Sequence, residues 1–148
     1  MACSGAFASA AEYEALMCAG IDLTDAGEVA TVNAFLAIAA ADVHAAMASV
    51  GACDCTLASW AETYLKKLNI IDARVIHNCP CGNRITDDLR RTWLEWLDRQ
   101  FELIRTGKLA LCSGDTGSEY PAFATAEYTW TVWNEAQIIV NEELKGIP

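Results

Sequence analysis

The sequence predicts an all-α protein: a small antiparallel bundle of about four helices with an extended C-terminal arm. Three observations predict it. Four segments place apolar side chains three and four residues apart, the spacing of one helix face. Each segment is bounded by a polar capping residue, a glycine or a proline. The last 36 residues follow a Gly-rich break and carry aromatic side chains without a helical stripe to bury them. The bundle is accordingly assigned to residues 1–112 and the arm to residues 113–148.

The first helix is expected from about Ser9 to Ala19, with Tyr13, Leu16 and Met17 facing inward and Gly20 as its left-handed stop. The second follows DLTDAGE, where Asp25 with Glu28 three residues on resembles a capping box. Its stripe is Val29, Val32, Leu36, Ala39, Val43, Ala46 and Val50, and Gly51 ends it. The third is expected to start after Thr56 and to bury Leu57, Ala61, Tyr64, Leu68, Ile71 and Val75, with Trp60 and Leu65 widening the stripe. It stops before Cys79-Pro80-Cys81-Gly82, because proline cannot continue a helix. The fourth has Thr86 as N-cap and Asp87 and Asp88 in its first turn. Leu89, Trp93, Trp96, Leu97, Phe101 and Ile104 form its inner face, and Gly107 caps it. Residues Lys108 to Leu111 read as extended. In the arm, EYTWTVW alternates Tyr128, Trp130 and Val132 with Thr129, Thr131 and Trp133, a strand-like period. Fully extended, such an arm reaches on the order of 100 Å, enough to cross a neighbouring subunit.

A chain of 148 residues is long enough for one domain with a substantial core, and 53% hydrophobic residues with five Trp argue for a folded protein. The net charge of −10 is unevenly placed. No Lys or Arg precedes Lys66, residues 66–112 carry a net +3, and residues 113–148 a net −5. Phosphate repels such a surface, which argues against sequence-specific DNA binding but suits DNA that must slide past. The N-terminus lacks the basic region of a signal peptide. The most lipid-like run, Val32 to Met47, is Ala-rich and broken by Asn33, Asp42 and His44, so a buried amphipathic helix is expected rather than a membrane span. The seven cysteines, an odd number in a chain read as cytosolic, are expected to be reduced thiols.

The sharpest local chemistry is two Cys-x-Cys elements, Cys53-Asp54-Cys55 and Cys79-Pro80-Cys81, with His77 nearby. Four such thiolates suit tetrahedral zinc. Yet the two elements flank helix three, whose span from Thr56 to Asn78 is roughly 35 Å if straight. No metal and no other cofactor is therefore assigned, and the four-thiolate site stands as an alternative. His44 lies beside the stripe of helix two without partners at ligand spacing, and reads as a boundary histidine. The acids of helix four pair with Arg90, Arg91, Arg99 and Arg105 as a solvated face. No nucleophile with a base, phosphate loop or dinucleotide fingerprint is present, so no catalytic residue is assigned. Tyr128, Trp130, Trp133, Ile138 and Ile139 have no stripe to join within the arm and are expected to be buried in a partner.

The order SAAEYEALM, TDAGE, a long Ala-rich helix, WAETYLKKL and finally FELIRTGKLALC resembles the head–tail connector (adaptor) proteins of tailed double-stranded DNA bacteriophages. The resemblance spans most of residues 7–112 and is strongest in the closing FELIRTGKLAL; the Cys-x-Cys pairs and the aromatic arm depart from it. It implies a non-enzymatic virion protein of the neck, assembled in the host cytoplasm. The expected partners are further copies in a ring, typically twelvefold, the portal protein, and the next neck or tail protein. Genomic DNA passes through without sequence-specific binding, and no membrane is involved. Ring closure joins two different faces of the subunit. The acidic N-terminal half and the basic stretch with Arg90 and Arg91 offer such a pair. The competing expectations are a small zinc- or redox-active Cys-x-Cys protein and a helical regulator that binds a partner through its tail.

Overall fold

A computed structural model describes residues 3–77 and 85–115. The chain is all-α: α1 (Ala10–Met17), α2 (Ala26–Ala48), α3 (Ala61–Ile76) and α4 (Asp87–Arg105). Among the described residues there is no strand, only an isolated antiparallel bridge between Leu57 and Cys112. The arm beyond Asp115, with Tyr128, Trp130, Trp133, Ile138 and Ile139, lies outside the described residues, as do Cys79 and Cys81.

α1 is set by a full capping box. The Ser9 side chain accepts from the Glu12 N–H, and the Glu12 carboxylate accepts from the Ser9 N–H. The helix ends earlier than the expected Ala19, because Cys18 turns left-handed at φ 46° and its N–H returns to the Glu14 carbonyl. Gly20, φ 76°, completes the turn rather than starting it. The Glu14 carboxylate accepts from the Gly20 and Ile21 N–H groups and holds this corner.

At the start of α2, Asp25 accepts from the Gly27 and Glu28 N–H groups as expected of the cap. The reciprocal bond differs: the Glu28 carboxylate accepts from the Asp22 N–H, 2.7 Å away, tying down the preceding loop. Val32, Leu36, Ala39, Val43 and Ala46 are buried, while Val29 and Val50 are half-buried at the two ends of the stripe.

α3 is the central helix, buried on nearly every side from Leu68 to Val75. It starts at Ala61, not after Thr56. Thr56 to Ala58 are pulled into extended pairing instead: the Ala58 N–H donates to the Leu111 carbonyl (2.8 Å) and the Ser113 N–H to the Thr56 carbonyl (2.7 Å). That pairing satisfies backbone groups that a helix would otherwise have used.

α4 begins at Thr86, whose side chain accepts from the Leu89 N–H. Its apolar stripe, Leu89, Trp93, Leu97, Phe101 and Ile104, is buried, and Trp96 is half-buried at its margin. The helix stops in a Schellman turn: the Lys108 N–H reaches the Leu103 carbonyl and the Gly107 N–H the Ile104 carbonyl, with Gly107 at φ 68°. The chain then carries Leu109 and Leu111 back into the core.

Among the described residues, two clusters make up the core. The larger joins the C-terminal half of α2 to α3, α4 and Leu109 and Leu111. The smaller packs α1 and the N-terminal half of α2 on Ile70 and Ala73 of α3.

Candidate interaction surface

Four of the seven cysteines correct the expectation of reduced thiols. Cys3 is bonded to Cys53 and Cys55 to Cys112, with Cα separations of 5.0 and 5.7 Å. The two sulfurs of one Cys-x-Cys element thus serve different partners, fifty and fifty-seven residues away. Spacing alone shows neither pairing, because the fold brings the N-terminal segment and the segment after α4 to the α2–α3 loop. The four-thiolate alternative loses Cys53 and Cys55 as ligands. Among the described residues, no group of three or more His, Cys, Asp or Glu side chains is placed to hold a metal ion.

The root of the arm is therefore fixed. Cys112 is held by its disulfide and by the bridge to Leu57, whose two backbone hydrogen bonds run from Ala58 to Leu111 and from Ser113 to Thr56. Leu109 and Leu111 anchor it in the core. The opposite terminus is held at the same end of the bundle. The His44 ring donates from Nε2 to the Gly5 carbonyl at 2.7 Å and packs against Phe7, ring centroids 4.7 Å apart. Beneath it, buried Asn69 accepts at Oδ1 from the Phe7 and Ala8 N–H groups and donates from Nδ2 to the Leu36 carbonyl. His44 is thus a half-buried structural histidine, the role expected from its place beside the stripe.

Arg90 and Arg91 are exposed on the first turns of α4. Arg90 Nε donates to the Val75 carbonyl at the end of α3, 3.4 Å away, and Arg91 pairs with Asp88 at 3.0 Å. The exposed Arg91–Asp88 pair contributes little to stability.

α2 presents a second apolar face that the sequence reading did not single out. Ala30, Ala34, Ala37, Ala41, Ala45 and Ala48 are exposed, and Ile38 beside them is 55% exposed. The most apolar stretch of this helix has a mean hydropathy of 1.5, with one third of it buried. The signal was present in the spacing of the alanines, which repeats the interval of the buried stripe on the other side of the helix.

Two titratable clusters lie within the bundle. At one, Tyr13 Oη is 3.2 Å from His77 Nδ1, and the His77 ring stacks on Phe35. Burial, then the positive Arg74, lowers the His77 pKa and favours the neutral ring. Burial raises the Tyr13 hydroxyl. The other centres on Asp72 of α3, which is buried with its Oδ2 unpartnered. Burial first, then the hydrogen bond and charge of Asp42, then the charge of Asp98, push the Asp72 carboxyl up to about 8. On the surface, the Lys66 ammonium, 2.6 Å from Glu12, together with the Ser9 N–H, holds the Glu12 carboxyl below the usual range.

No family model, curated protein or solved structure matches the chain. The functional reading therefore rests on this geometry and on the sequence.

Proposed function

We propose that the chain is a non-enzymatic head–tail connector of a tailed double-stranded DNA bacteriophage. In this reading it forms a ring beneath the portal, joins capsid to tail, and lets the genome pass. The observation that carries the reading is the anchored arm root: a helical bundle grips Cys112 covalently and hands on a segment bearing Tyr128, Trp130, Trp133, Ile138 and Ile139. A fixed root lowers the entropy cost when the arm finds a partner. The exposed apolar face of α2 also favours contact with another polypeptide. A net charge of −10 suits a channel through which DNA slides. Two disulfides suit a released virion, where they persist, better than the interior of a cell.

The test is co-assembly of the full chain with a portal protein of a tailed double-stranded DNA bacteriophage, viewed by negative-stain microscopy. A ring seated on the portal is expected. A chain ended after Cys112 should keep its helical circular dichroism and fail to dock. Equal docking by the shortened chain, or no association by the full one, would overturn the reading. Charge reversal of Arg90 and Arg91 to Glu should weaken ring formation by about tenfold in concentration while leaving the fold intact. Metal analysis separates the zinc alternative, which requires stoichiometric metal.

A further inference from the structure

We infer that Cys53-Asp54-Cys55 is a thiol–disulfide exchange site: a dithiol reductant that opens either disulfide releases both Cys3 and Cys112 and leaves Cys53 bonded to Cys55. Three observations carry it. The two disulfides meet on this one element, where Cys53 holds Cys3 and Cys55 holds Cys112. All four cysteines are half-buried rather than enclosed, and Asp54 is exposed, so a small thiol reaches the sulfurs. Backbone hydrogen bonds fix the chain on either side, from the Ala52 N–H to the Met47 carbonyl and from the Ser113 N–H to the Thr56 carbonyl, and the chain turns through the residues between.

A disulfide needs its two Cα atoms about 4.4–6.8 Å apart. Consecutive trans peptide links place the Cα atoms of Cys53 and Cys55 at most about 7 Å apart, and closer where the chain bends. A bond between them is therefore within reach without moving a helix. Cys3 and Cys112 lie on the segments that lead to the chain ends. Cys53 and Cys55 stay neighbours by covalent connection, so theirs is the bond that survives a single reduction.

The steps balance as follows. A thiolate of the dithiol attacks the Cys3–Cys53 bond, and its second thiol closes the oxidised ring. The dithiol gives up two electrons and two protons, and Cys3 and Cys53 become thiols. The Cys53 thiolate then attacks Cys55 Sγ. The Cys53–Cys55 bond forms, the Cys55–Cys112 bond breaks, and the electron pair leaves on Cys112 Sγ, which takes a proton from water. If Cys55–Cys112 opens first, the Cys55 thiolate attacks Cys53 Sγ and expels Cys3, with the same products. The helices remain packed by their two clusters, so the exchange frees the N-terminal segment and the root of the arm together. It rests on the disulfide pairing and is independent of the assembly reading above.

The experiment treats the full chain, with Cys18→Ser, Cys79→Ser and Cys81→Ser removing the other cysteines, with one molar equivalent of dithiothreitol. After an acid quench and maleimide labelling, the cysteines are mapped by peptide mass spectrometry, with circular dichroism to follow the helices. Cys3 and Cys112 should be labelled together, and the peptide with Cys53 and Cys55 should be unlabelled and linked to no other peptide. Label on Cys112 should exceed label on Cys55 by about threefold or more, because the neighbouring thiolate attacks at high effective concentration. Adding Cys53→Ser removes that thiolate and should make the two labels equal, with helicity unchanged. Equal label on Cys55 and Cys112 without that substitution would overturn the exchange. So would label on Cys3 and Cys53 beside an intact Cys55–Cys112 bond, or resistance of both bonds to the reductant.

Discussion

Asn69 shows what one polar side chain can organise. It is fully buried, yet each end of its amide is used: two N–H groups of the N-terminal segment on Oδ1, the Leu36 carbonyl on Nδ2. Asn69→Ala would strand those groups in the core. The expected loss is on the order of 3 kcal/mol, read from the denaturant midpoint, with faster exchange of the Phe7 and Ala8 amides. Neither Asn69 nor Asp72 was legible as a site in the sequence. Both lie at helical spacing from Leu65, on the side where that residue widens the stripe, and Asn69 is bonded by an N-terminal segment distant in sequence. His44 and Thr86 were legible, because a residue beside a stripe and a residue before one have local meanings.

At the scale of the element, local signals located α2 and α4 well and α1 and α3 less well. Asp25, Thr86 and Gly107 act within a turn of themselves, so their roles survive folding unchanged. Thr56 has the same capping chemistry but is taken by long-range pairing with Ser113. Cys18 adopts a left-handed turn that glycine would have signalled. Gly107 offers a clean check of the α4 stop. A Cβ there would meet nothing within 4 Å, so its only penalty is the backbone angle. Gly107→Ala should destabilise by about 1 kcal/mol, measured by thermal melting, with no change in the cluster around Phe101.

For the whole molecule, the all-α bundle was legible because its stripes are continuous. The joining of its two ends was not, because disulfide pairing depends on where distant segments meet. Cys55 and Cys112 close a loop that contains α3 and α4. Replacing both with Ser should cost about 4 kcal/mol, seen as a lower denaturant midpoint under oxidising conditions, and a variant that also lacks Cys3 and Cys53 should match the parent in reductant. A double variant as stable as its parent would mean that the bridge to Leu57 and the burial of Leu111 hold the root unaided.

The arrangement of sulfur bonds also defines a load path. A pull on the chain beyond Ser113 arrives at Cys112, crosses to Cys55, passes Asp54 to Cys53, and leaves through Cys3. α2, α3 and α4 hang beside that route as slack, so tension between the two ends is borne by covalent bonds while the helices stay unstretched.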